Sequence, residues 1–165
     1  MQLSFAAAGF IALLAGAEAH LWSKPATKLI KPSANVVSNY TWTVTGWDAG
    51  CSDSGCYADF NVSAAAWKTS IPAFKAYCSV GPEGASYQGC EVLDEETERH
   101  LVSARLEAVN TTGTGAHLAV SYEFVDPNAS GTYWNYTAYA DAPYNQFVST
   151  PAKFSMTPSE IWGAA

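Results

Sequence analysis

The chain reads as an all-β protein: an antiparallel sandwich or barrel of about eight strands, held by two disulfides. Three observations predict this. Apolar residues recur with a period of two through most of the chain, which is the pattern of half-buried strands. Clusters of Gly, Pro, Asn, Asp and Ser interrupt the alternation at short intervals. Four cysteines follow an apolar leader, an even count that implies a disulfide framework.

The strands follow in order. In "NYTWTVTGW", Tyr40, Trp42 and Val44 fall on one side and Asn39, Thr41 and Thr43 on the other. In "CYADFNVS", Cys56, Ala58, Phe60 and Val62 oppose Tyr57, Asp59 and Asn61. In "AFKAYCSV", Phe74, Ala76, Cys78 and Val80 oppose Lys75, Tyr77 and Ser79. Val102, Ala104, Leu106 and Ala108 share a side, as do Leu118, Val120, Tyr122 and Phe124. Trp134, Tyr136 and Ala138 form a further set, and Ala152, Phe154 and Met156 close the series. "NTTGTG" and "DPNASG" read as hairpin loops, and "GPEGAS" as the turn of a hairpin stapled by Cys78 and Cys90. "LDEETER" is a short helical turn or a solvated acidic loop.

Residues 1–19 read as a secretory signal peptide. Phe5 to Ala15 is apolar but too short to span a bilayer, and Ala17 and Ala19 are the small residues of a cleavage site. Residues 20–37, with two Lys-Pro pairs, form an extended N-terminal arm, and residues 38–165 a single domain. No later stretch is apolar enough for a membrane span, so the expected location is extracellular. Cleavage removes Glu18 and no base, so the mature chain is one unit less negative than the −7 of the full sequence. An acidic chain with scattered bases is repelled by phosphates, which argues against nucleic acid as a partner.

Cys51–Cys56 and Cys78–Cys90 are the favoured disulfides, with the nested pairing of Cys51 to Cys90 and Cys56 to Cys78 left open. Five N-x-S/T sequons, at Asn39, Asn61, Asn110, Asn128 and Asn135, point to a glycoprotein. Asn39, Asn61 and Asn135 fall on the polar sides of their strands, where a glycan acceptor has to be.

For chemistry, the sequence offers one sharp candidate. Cleavage after Ala19 leaves His20 at the N-terminus, where its amine and ring could hold copper together with a second histidine. That arrangement would make the chain similar to the copper polysaccharide monooxygenases. The remaining histidines are His100 and His117, on the two strands of the "NTTGTG" hairpin. With Val109 opposite Ala116 and His117 opposite Ala108, His100 lies roughly 26 Å further along and cannot share a site with His117. Both read as surface histidines, so the expected cofactor is none, with copper at His20 the alternative. No pair of acids is singled out for glycoside hydrolysis, no EF-hand spacing occurs, and G-x-S-x-G is absent.

Aromatic residues are the other unusual feature. Trp42 and Trp134 take inward strand positions; Trp22, Trp47 and Trp162 lie near loops or termini. Tyr57, Tyr77, Tyr133 and Tyr139 have outward parity, and an outward aromatic set suits a sugar- or protein-binding platform. The segments "WTVTGWDAGC", "CYADFNVS", "FKAYC", "YQGC" and "FSMTPSEIWG", with the leader, give the chain the look of a fungal small secreted protein. It distantly resembles the Alternaria-allergen-like family of secreted β-barrel allergens and elicitors, with its F-x-x-x-C and Y-x-x-C hairpins. This chain differs in pairing two cysteines closely at 51 and 56 and in lacking a late cysteine pair. The resemblance implies a β-barrel and an effector or elicitor role without a catalytic site. The functional expectation is a secreted, non-catalytic interaction protein whose partner is an extracellular protein or a glycan. The alternatives are the copper enzyme at His20 and a carbohydrate-binding module.

Overall fold

A computed structural model describes residues 29–30, 39–95, 99–108, 115–129, 131–146 and 152–164. The leader, His20, Trp22, most of the N-terminal arm, Asn110 and residues 96–98 of the acidic run lie outside the described residues. The described residues form strands β1 (Leu29–Ile30), β2 (Trp42–Ser52), β3 (Gly55–Ala64), β4 (Phe74–Val80), β5 (Gln88–Gly89) and β6 (Glu91–Val92). They continue with β7 (His100–Leu106), β8 (Gly115–Val125), β9 (Tyr133–Pro143), β10 (Ala152–Met156) and β11 (Pro158–Ala164). Among these residues there is no helix, and none is long and apolar enough to cross a membrane.

The strands form two antiparallel sheets, which makes the fold a sandwich rather than a closed barrel. Sheet A has the order β1-β11-β9-β8-β7-β5 and sheet B the order β10-β2-β3-β4-β6. Three of the strands are only two residues long; the others are the expected eight or so. The alternation holds because each sheet buries one face against the other. Phe60, Val62, Phe74 and Ala76 of sheet B meet Val102, Leu118, Val120 and Tyr122 of sheet A, all buried. At the centre, Trp42 packs edge-on to Phe74 at 5.2 Å and to Tyr122 at 6.3 Å, and Phe74 stacks on Tyr122 at 4.2 Å.

One parity expectation is corrected. Trp47, read as a loop residue, is fully buried. Strand β2 carries a bulge: Thr45 pairs with Asn61 and Asp48 with Asp59, so Gly46 and Trp47 together oppose Phe60. Gly46 takes a φ of 64°, a left-handed conformation that suits glycine. The extra residue reverses the alternation, so that Val44, Trp47 and Ala49 all face inward. Asn145 holds this bend. Its side chain accepts the Ala49 N–H at 2.8 Å and donates to the Trp47 carbonyl at 2.7 Å, in a buried setting. An Asn145→Ala substitution strands both backbone groups and should cost about 2–4 kcal/mol, read from urea unfolding; a loss under about 0.5 kcal/mol would contradict this role.

Both favoured disulfides are present, and no cysteine is free. Cys51 and Cys56 sit directly opposite each other at the end of the β2–β3 hairpin. Cys78 and Cys90 extend the β4–β6 pairing, in which Ala76 faces Val92 and Tyr77 faces Glu91. The stapled hairpin is thus wider than a single turn, because the connection between its strands contributes β5 to the other sheet. Two disulfides in a small β protein are compatible with an oxidising, extracellular setting.

The register of the β7–β8 hairpin also differs from expectation by one residue. Leu106 faces Leu118, and the Glu107 N–H donates to the His117 carbonyl at 2.8 Å, so His117 lies opposite Glu107 rather than Ala108. Directly paired residues share a face, and both inward sets here are even-numbered, so only an even sum of paired numbers is possible.

The buried tyrosines set an alkaline limit. Burial pushes the Tyr136 hydroxyl up to about 12 and that of Tyr40 well above the usual tyrosine range. These groups stay protonated in the fold at a pH where the unfolded chain ionises. The unfolded state then binds fewer protons, so stability is unaffected below pH 10 and falls as pH rises beyond it. Urea midpoints should be lower near pH 11 than near pH 9, with the part of the tyrosinate absorbance that belongs to buried rings appearing in step with unfolding. Equal midpoints would contradict the assignment.

Candidate binding face on sheet A

The same alternation that buries one face of sheet A sorts the other. Pairing brings Leu101, Glu123, Asn135 and Trp162 into one row across β7, β8, β9 and β11. The next row holds Gly89, Ser103, Ser121, Thr137 and Glu160, and beyond it Arg105, Ala119 and Tyr139 align. Small residues occupy the middle of these rows, and large rings stand at their sides. The result is an open depression of about 420 Å³ walled by Tyr87, Tyr139 and Trp162. Leu101, Glu123 and Tyr133 continue it into a second hollow beside Arg99 and Val125.

The floor is a closed hydrogen-bond cluster. The Asn135 amide nitrogen donates to Glu123 Oε1 at 2.8 Å and to Ser121 Oγ at 2.9 Å. Its carbonyl accepts from Thr137 Oγ1 at 3.1 Å. Glu123 can only accept, which fixes which way the amide points. Asn135 is 6% exposed although it belongs to an outer face. At one end, Arg105 pairs with Glu107 at 2.7 Å and lies over the Tyr87 ring at 4.7 Å. Partial burial and a hydrogen bond to Glu160 push the Tyr139 hydroxyl up to about 12, so it stays a donor.

Exposure singles this face out. Among the described residues eight large apolar side chains are exposed, and five of them lie here: Tyr87, Leu101, Tyr133, Tyr139 and Trp162. Tyr133 is the barest at 58%, and Trp162 is 42% exposed. The outer face of sheet B carries Tyr57 and Tyr77, with the Tyr77 hydroxyl donating to Asp59 at 3.1 Å and Asn61 nearby on the same face. The four tyrosines expected to point outward all do so, two on each sheet. Trp162, placed by the sequence near the loops or termini, stands outward on β11, and no local pattern marks Tyr87 or Leu101: five strands, β5, β7, β8, β9 and β11, assemble the face.

The histidines lie outside the first depression: His100 lines the second hollow, and His117 sits on the same outer face beyond the row of Arg105, Ala119 and Tyr139. His100, expected at the surface, is buried on the inward face of β7, with Nε2 3.2 Å from Asp94 Oδ2 and its ring against Tyr122. Its even number places it in the inward set of its strand. His117 points outward and pairs with Asp141. With His100 opposite Phe124, the two are seven residues apart along β8, roughly 24 Å, and on opposite faces. Among the described residues no cluster of three or more His, Cys, Asp or Glu could hold a metal ion. Of the sequons, Asn39 and Asn128 are exposed, Asn61 is half-buried and Asn135 is the buried amide of the face.

No family model matches the chain, and neither does any curated protein or solved structure.

Proposed function

We propose that the chain is a secreted, non-catalytic binding protein and that its ligand is a neutral oligosaccharide laid along the outer face of sheet A. The observation that carries this reading is the gathering of most of the exposed large apolar side chains around one fixed polar floor. A sugar ring has an apolar C–H face and a rim of hydroxyls. Tyr and Trp rings offer matching apolar planes, and amide, hydroxyl and carboxylate groups take the rim. A protein partner needs no such alternation of rings and buried amides.

The length and charge of the face narrow the ligand. Tyr133 and Tyr139 are six residues apart on β9, about 20 Å, so the platform suits a chain of sugars rather than one. Glu107, Glu123 and Glu160 outnumber Arg99 and Arg105 on the face, which disfavours uronic, sulfated and nucleic-acid chains. Retention on insoluble polysaccharides tests the reading. At least one of cellulose, chitin or a β-glucan should hold the protein and release it to its own soluble oligomers, while heparin and pectin should not. Passage through all the neutral matrices would overturn the proposal.

A further inference from the structure

We propose that Asn135 is a structural amide of the binding face and not a glycan acceptor in the folded protein, and that N-glycans sit on other parts of the surface. Sequence treats the sequons alike, but the structure divides them. An asparagine carrying a glycan keeps a single N–H on its amide nitrogen. Asn135 uses both, one on Glu123 and one on Ser121. Asn128 spends one on the Thr69 carbonyl at 2.9 Å and retains the other, in an exposed loop. Asn39 is exposed at the entry to β2.

The surroundings agree with the hydrogen bonds. Asn135 is flanked by Glu123 on one neighbouring strand and Trp162 on the other. A glycan leaving its amide would have to part these side chains and lie in the depression. Glycan transfer acts on chains that have not yet folded, so burial does not itself prevent modification. A chain modified at Asn135 must instead give up the cluster that ties β8 to β9, leaving the Glu123 or Ser121 oxygen without its donor. The folded, secreted pool is therefore depleted of it. The occupancy rests on this geometry alone; only its consequence, a face left bare for a ligand, rests on the saccharide reading.

Secretion from a eukaryotic host, recovery of the folded monomer, and release of glycans by peptide N-glycosidase in heavy-oxygen water give the test. Each asparagine that carried a glycan becomes a labelled aspartate, read by peptide mass spectrometry. Asn39 and Asn128 should be labelled, with Asn135 at least tenfold lower. Comparable labelling at Asn135, or no labelling at Asn39 and Asn128, would overturn the proposal. A protein bare at Asn135 that binds no polysaccharide counts against the saccharide reading and leaves this one standing.

Discussion

Replacing Trp42 with Ala should cost the fold about 3–5 kcal/mol. The indole is fully buried and touches both sheets, with Phe74 on its own sheet and Tyr122 on the facing one. Removing it leaves a cavity that neither sheet can close, because Phe74 and Tyr122 are themselves locked in a stack. Against a typical total of about 5–15 kcal/mol, the loss is a large fraction of the whole stability. Trp42→Phe keeps most of the volume and should cost clearly less. Urea unfolding of the three proteins checks this. A Trp42→Ala variant within about 1 kcal/mol of the parent would mean that the two sheets do not depend on this contact.

Trp162→Ala should lower saccharide affinity by about 2 kcal/mol, roughly thirtyfold, with little change in stability. Trp162 is partly exposed on β11 and faces Asn135 across the sheet, so its ring is available to a ligand. The strand itself is held by its backbone pairing to β9 and by Ile161 against the core. Tyr139→Ala should act in the same direction, since its ring also lines the depression. Tyr57→Ala and Tyr77→Ala, on sheet B, are the matched controls and should leave affinity unchanged. Equal losses from both sets would show that the ligand is not confined to sheet A.

The strands were legible because each sheet buries one face, so Phe74, Ala76, Cys78 and Val80, or Leu118, Val120, Tyr122 and Phe124, recur with a period of two. The pairing of Cys78 with Cys90 was favoured over the nested one because the turn residues of "GPEGAS" lie between them, and it holds although their hairpin spans an excursion into the other sheet. Trp47 was not, because a bulge at Gly46 reverses parity inside an unbroken strand, and Asn145, which stabilises it, lies far along the chain. The outward tyrosines were legible only as outward. Parity cannot say which of two outer faces a residue joins, and the face holding Tyr87, Arg105, Tyr139 and Trp162 depends on the strand order β11-β9-β8-β7-β5. Asn135 shows the same limit. Its polar-side position was legible, but the burial imposed by Ser121 and Glu123 of β8 and by Trp162 of β11 is a property of neighbouring strands.

The most direct test is backbone amide chemical-shift mapping during titration with the soluble oligomer of whichever polysaccharide retains the protein. A saccharide bound on sheet A should give saturable shifts at Arg105, Ser121, Asn135, Tyr139 and Trp162, with the amides of Tyr57 and Tyr77 silent. Shifts centred on Tyr57 and Tyr77, or spread over the surface without saturation, would contradict a binding face on sheet A.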